Sequence, residues 1–239
     1  MSSVVNFYSK LPKRYGAGVN KSRDYKNYKL YHLQFPNRIA IVGCAGAGKT
    51  NIALNIILCT AYFSRVFLVV KTPEEALYQS LVDKLNEISD KVGSDGIVTV
   101  LTDVNDLPPV EDFNSNHRNL ILFDDVISDS TKDLKQVEKY WVYGRKHNIS
   151  TIFLSQSYFR IPKLIRDNTD VLILRGVLNK RDLKLIMSEF ALDKTQDELL
   201  EMYQRCNASN SINDFMLIDR SVGQEPEYKY RHNFDQPLQ

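Results

Sequence analysis

The chain has 239 residues, 43% hydrophobic and 25% charged, the proportions of a folded globular protein rather than of a fibrous or disordered one. Its 31 Lys and Arg stand against 29 Asp and Glu, so the formal net charge of +2 does not by itself argue for a polyanionic partner. No apolar run reaches the length of a membrane span, no apolar leader follows Met1, and Cys44, Cys59 and Cys206 have neither disulfide-framework nor zinc spacing; an intracellular location is expected.

Residues 1–34 are polar, basic and rich in tyrosine. Lys10, Lys13, Arg14, Lys21, Arg23, Lys26 and Lys29 are opposed only by Asp24, with Tyr15, Tyr25 and Tyr28 among them. Gly16 and Gly18 break any periodicity, so the segment reads as a basic arm. Beyond it, strands are expected at 39–42, 66–70, 97–101, 120–123, 151–154, 171–174 and 215–218. Each is a near-continuous run of Val, Ile, Leu and Phe, the mark of strands buried on both faces. Helices are expected at 51–62, 73–88, 132–143, 180–190 and 195–206, the second starting at Thr72-Pro73. This alternation predicts a doubly wound α/β domain over 35–219, a central mostly parallel β-sheet flanked by helices. The polar residues 220–239 read as a C-terminal tail.

The stretch RIAIVGCAGAGKTNIALNIILC, from Arg38 to Cys59, carries the first chemistry. Gly43, Cys44, Ala45, Gly46, Ala47, Gly48, Lys49 and Thr50 satisfy G-x-x-x-x-G-K-[ST], with Asn51 continuing into the helix. Small side chains let successive N–H groups curl around a β-phosphate, helped by the positive end of the following helix. Lys49 would reach the β- and γ-phosphates, and Thr50 would offer its hydroxyl to Mg²⁺. The cofactors read from this loop are ATP and Mg²⁺. Small size accounts for Cys44 in the loop.

NLILFDD, beginning at Asn119, is an apolar strand ending in two acids. Asp124 is placed to meet the metal at Thr50, and Asp125 to polarise an attacking water, with a shorter reach than the Glu common there. The next strand ends in Ser155-Gln156-Ser157, where the Gln156 amide could contact the γ-phosphate or its water. Asn179-Lys180-Arg181-Asp182 matches the N-K-x-D with which GTPases read guanine. Against that reading, the acidic strand lacks the D-x-x-G of a GTPase, and Leu183, Ile186, Met187 and Phe190 make this segment an amphipathic helix capped by Asn179.

The order of these motifs resembles the FtsK/HerA superfamily of P-loop motor ATPases, and within it the genome-packaging ATPases of large eukaryotic DNA viruses, virophages and related mobile elements. The resemblance spans residues 35–219. It rests on IAIVGCAGAGKT (39–50), LILFDDV (120–126) and, more specifically, YGRKHNISTIFLSQ (143–156) and YFRIPKLIRDN (158–168). It implies a P-loop NTPase fold of the ASCE/RecA-like type and an ATP-driven translocase that packages double-stranded DNA into a preformed capsid. It also implies Asp124 holding the metal through water, Asp125 as base and Gln156 as sensor. Arg145 resembles an arginine finger donated to a neighbouring subunit, with Arg160 and Arg166 as rivals; such fingers contribute roughly 10³–10⁵ in rate. The partners implied are duplex DNA without sequence choice, further copies in a pentameric or hexameric homo-oligomeric ring, and capsid protein, with no membrane. The location implied is host cytoplasm or viral factory, with the virion as alternative. Residues 126–139 are the expected pore loop, and the basic arm contacts DNA, a neighbour or capsid protein, or is a solvated tail. The alternatives are a helicase or other ring motor outside a capsid, and a nucleotide-dependent switch such as a GTPase.

Overall fold

The computed structural model describes residues 22–94, 96–126, 130–191, 193–209, 211, 214–222 and 225–238. After a short helix α1 (Tyr28–Tyr31) the chain runs β1 (Arg38–Val42), α2 (Lys49–Thr60), β2 (Arg65–Val70), α3 (Ala76–Val92) and β3 (Val98–Leu101). Then come β4 (Asn119–Asp124), α4 (Thr131–Tyr143), β5 (Ile149–Ser155), α5 (Lys163–Asp167) and β6 (Val171–Leu174). The chain closes with α6 (Lys180–Phe190), α7 (Gln196–Cys206), β7 (Met216–Asp219), β8 (Tyr230–His232) and β9 (Gln236–Pro237).

These strands form one sheet in the order β3-β2-β4-β5-β1-β6-β7-β8-β9. The first six in that order are parallel, and β7, β8 and β9 continue antiparallel. Alternation along each strand builds two cores. Ile39, Ile41, Leu68, Leu122 and Ile152 meet Ile52 and Ile56 of α2 and Tyr78, Leu81 and Leu85 of α3 on one face. Ala40, Val42, Phe123 and Phe153 meet Tyr140 and Trp141 of α4, Ile186 and Phe190 of α6 and Leu199 of α7 on the other. Both faces are covered, so both alternating sets must be apolar, and each fully buried large side chain contributes about 1.5–3 kcal/mol.

Every expected strand and helix is present, with shifted ends. Thr195 caps α7 in a capping box with Glu198, and Ser130 does the same for α4 with Asp133. Helix α3 begins three residues later than expected, at Ala76. The Thr72 hydroxyl donates to the Glu75 carboxylate at 2.9 Å rather than capping the backbone, which leaves Pro73 in the preceding turn.

The two polar ends differ more from expectation. The basic cations and glycines from Lys10 to Lys21, with Tyr15, lie outside the described residues, but 22–35 belong to the domain. Leu33 and Phe35 are fully buried, and Tyr25 packs against Tyr28, Phe35 and Tyr62. At the other end β8 and β9 extend the sheet where a tail was expected. The Arg231 guanidinium, fully buried, donates to Asp219 at 3.0 Å and to the carbonyls of Tyr31 at 2.8 Å and Phe234 at 2.9 Å. Tyr28 and Arg23 donate to Glu225 at 2.7 and 3.2 Å, and His32 stacks on Tyr228. The ends pack on each other through aromatic rings and charged bonds, which leave no apolar run in the sequence.

Candidate nucleotide site

The loop after β1 is held from both sides. Gly43 N–H donates to the Ser155 carbonyl at the tip of β5 (3.1 Å), and Cys44 N–H donates to Gly176 just beyond β6 (3.1 Å). Gly43 must lack a side chain, because a Cβ there would lie 1.9 Å from the Arg175 carbonyl oxygen. Gly46 and Gly48 have φ of 72° and 85°, the left-handed region that glycine adopts without steric cost. Gly48 then caps α2, a helix of 12 residues with no acid in its first turn, so the positive end of its dipole faces the loop. Ala45 and Gly46 are exposed, while Cys44, Ala47, Asn51 and Thr50 are partly covered around the loop.

The Lys49 ammonium lies across the loop, donating to the carbonyls of Gly43 and Cys44 at 3.0 Å each. Burial lowers its pKa, against the opposing pull of the Asp124 and Asp125 carboxylates. Those acids stand two strands away, since β5 lies between β1 and β4. Two strand spacings make about 9.6 Å, room for a metal ion and a phosphate group that an adjacent strand would deny. The interposed strand ends at Ser155, and Gln156 is exposed in the turn just beyond it. Asp125 is exposed and sits at φ 56°, a left-handed turn that Asp tolerates.

One residue of this site has no motif in the sequence. Tyr78 of α3, 1% exposed, donates from its phenol to Asp124 Oδ2 at 2.5 Å. Burial raises the Tyr78 pKa, the Asp124 charge adds to the rise, and a hydrogen bond from the Thr50 hydroxyl opposes it. Tyr78 therefore holds one of the two groups proposed for the metal. Burial likewise raises the Asp124 pKa; the Tyr78 bond counters it, Asp125 adds to it and Lys49 counters it. Among the described residues there is no cluster of three or more His, Cys, Asp or Glu able to hold a metal alone. Thr50 and Asp124 instead fit Mg²⁺, which binds through one or two protein groups with phosphate and water completing its shell.

The three arginines separate. Arg145 is exposed in the turn between α4 and β5, at the end of β5 opposite Gln156, about 20 Å along the strand, and its guanidinium has no hydrogen bond or ion pair among the described residues. Arg160 is exposed at the nucleotide edge. Arg166 is committed inside the domain, paired with Glu189 at 2.5 Å and lying over the Tyr158 ring. The N-K-x-D tetrad is likewise absorbed by the fold. Asn179 caps α6, and Asp182, 1% exposed, accepts from the Tyr158 and Phe159 amides at 3.1 and 2.9 Å. A carboxylate so buried and bonded is not presented to a base.

A family model described as Poxvirus A32 protein matches residues 23–235. Among solved structures, B204, the DNA-packaging ATPase of Sulfolobus turreted icosahedral virus, superposes with a TM-score of 0.57 at 14% identity, covering 85% of this chain and 98% of that one. The genome-packaging NTPase B204 of Sulfolobus turreted icosahedral virus 2 gives 0.56 at 13% identity in its AMPPCP complex, covering 84% and 98%. Its ATP-γS complex gives 0.54 at 11% identity, with the same coverage. At such identities the likeness is one of fold, a P-loop NTPase sheet with helices on both faces. No curated protein sequence matches the chain.

Proposed function

The chain belongs to the Poxvirus A32 protein family, and from that premise we propose that it is an ATP-hydrolysing motor that drives viral double-stranded DNA into a preformed capsid. The observation that carries the reading is the strand order β1-β5-β4, which lines up the phosphate loop, Gln156 and the Asp124–Asp125 pair across one edge of the sheet. The B204 proteins, similar in fold over nearly their whole length, are genome-packaging NTPases.

In this reading the 43–51 loop wraps the β-phosphate with its amides while Lys49 leaves the Gly43 and Cys44 carbonyls for the β- and γ-oxygens. Thr50 and Asp124 would hold Mg²⁺, which would supply positive charge to offset the charge developing on the transferred phosphoryl group. Asp125 accepts a proton from the attacking water, whose oxygen bonds to the γ-phosphorus as the bond to the β-bridging oxygen breaks; Gln156 orients that water. Arg145 points to a neighbour in a pentameric or hexameric ring rather than to its own nucleotide, because β5 separates the two. No helix among the described residues is long and apolar enough to cross a membrane. The site of action is the infected cell, where DNA meets capsid protein.

Hydrolysis by the full chain should rise with duplex DNA, and the rise should fade steeply as salt increases. A flat response removes the motor reading. Strand separation on forked DNA without filling of empty shells would favour the helicase.

A further inference from the structure

The connection from β6 into α6 is fastened at both ends to the nucleotide edge. At its start, Arg175 N–H donates to Val42 (2.9 Å) and Gly176 accepts from Cys44 of the phosphate loop (3.1 Å). At its end, the buried Asp182 accepts from the Ser157 hydroxyl (3.2 Å) and from the Tyr158 and Phe159 amides, all in the turn that follows Gln156. Tyr158 adds a bond to Glu189 of α6 at 2.6 Å. Residues 175–184 thus bridge the two elements that would face the β- and γ-phosphates.

The outer face of this bridge is cationic. Lys180, Arg181 and Lys184 are exposed at helical spacing on one side of α6, beside Arg160, Lys163 and the 80%-exposed Leu178. The Arg181 guanidinium lies 3.5 Å over the half-exposed Phe159 ring and so joins the face to the sensor turn. Lys163 is paired with Asp167 at 2.6 Å, and Glu189 is engaged by Arg166 and Tyr158. Arg160, Lys180, Arg181 and Lys184 have no ion pair among the described residues.

We propose that Arg160, Lys180, Arg181 and Lys184 grip the phosphate backbone of duplex DNA, and that Asp182 is the positioning residue that passes nucleotide state from the Gln156 turn to this surface. The proposal rests on the motor reading and names its DNA contact. Charge complementarity identifies the occupant: four cations without an ion pair among the described residues, one of them over an aromatic ring, suit a polyanion, and phosphate contacts supply affinity without sequence choice. Helix α4 is the rival surface, with Lys132, Lys135 and Lys139 exposed along it; residues 127–129 of the expected pore loop lie outside the described residues.

The test measures binding of a labelled duplex to the full chain over a salt series. Lys180→Gln, Arg181→Gln and Lys184→Gln together should lose roughly tenfold or more in affinity and flatten the log–log salt slope by about three. The companion triple Lys132→Gln, Lys135→Gln and Lys139→Gln removes the same charge and should bind as the parent does. Equal losses in both triples, or a loss in the companion alone, overturn the surface. Unchanged affinity in the α6 triple also overturns it and leaves an acidic protein as the occupant. Failure of the parent chain to bind duplex would instead bring down the motor reading. For Asp182, duplex affinity should differ between ATP-γS and ADP in the parent and become equal in Asp182→Asn, with Ser157→Ala, which removes one of the three bonds, intermediate. A nucleotide dependence undiminished in Ser157→Ala and Asp182→Asn removes the coupling role.

Discussion

The two ends of β5 are built in opposite ways. At its C-terminal end the Gln156 turn is tied to the phosphate loop through Ser155 and to α6 through Asp182, and the acids of β4 stand alongside. At its N-terminal end Arg145 is exposed on a four-residue turn, with Gly144 packed closely against Ile149 and the guanidinium unbonded among the described residues. One end is preorganised by its own chain, as a site that must hold triphosphate geometry requires. The other end presents an exposed guanidinium that nothing among the described residues engages. On the proposed reading, nucleotide capture belongs to the single chain and turnover needs a second one.

The largest expected effect lies at the organised end. Lys49→Ala removes the cation that spans the loop, and both ATP binding and turnover should collapse, turnover by on the order of 10³-fold or more; near-parent hydrolysis would erase the distinction between the two ends. Arg145→Ala should keep ATP affinity yet lose roughly 10³–10⁵ in turnover. Mixing it with Asp125→Asn should restore activity in rings that pair an intact finger with an intact acid, and no rescue in confirmed mixed rings would place Arg145 in its own site.

Tyr78→Phe sharpens the picture at the metal. Loss of the phenol bond to Asp124 should raise the Mg²⁺ concentration needed for nucleotide binding about tenfold, with metal-free nucleotide affinity unchanged. An unaltered Mg²⁺ requirement would reduce Tyr78 to packing.

The smallest effect is on stability. Burial holds the Asp124 carboxyl above its ordinary pKa, so folding favours the protonated form, and the ionised group costs stability as pH rises from the unfolded value through the folded one. Asp124→Asn, without nucleotide and with chelator, should therefore melt a few degrees higher than the parent at neutral pH. The gain should shrink as pH falls toward the ordinary carboxylate range. A lower melting temperature at neutral pH would contradict the burial argument.

The phosphate loop, the acidic strand and the Gln156 tip were legible in the sequence because each is a local pattern, and a buried parallel strand advertises itself as a short apolar run. Tyr78 was not, since a tyrosine within an amphipathic helix reads as core and is core; only the fold reveals that its hydroxyl ends at Asp124. The N-K-x-D tetrad shows the converse, a local match that the helix pattern around it already argued against and that the fold absorbs, with Asn179 as the cap of α6. Its spacing imitates a guanine reader, yet Asp182 is spent on three bonds to the 157–159 turn.

By itself the sequence determined the alternation of strands and helices and the loop that holds phosphate, because hydrophobic period and glycine freedom act over a few residues. Only the tertiary structure decided which strand lies between β1 and β4, that residues 22–35 and 225–238 close over each other, and that the turn after Gln156 is bonded to Asp182 of α6. Those outcomes depend on contacts between residues distant in the chain, where burying Arg231 with Asp219, or seating Phe35 under Tyr62, is set by what the rest of the fold leaves uncovered.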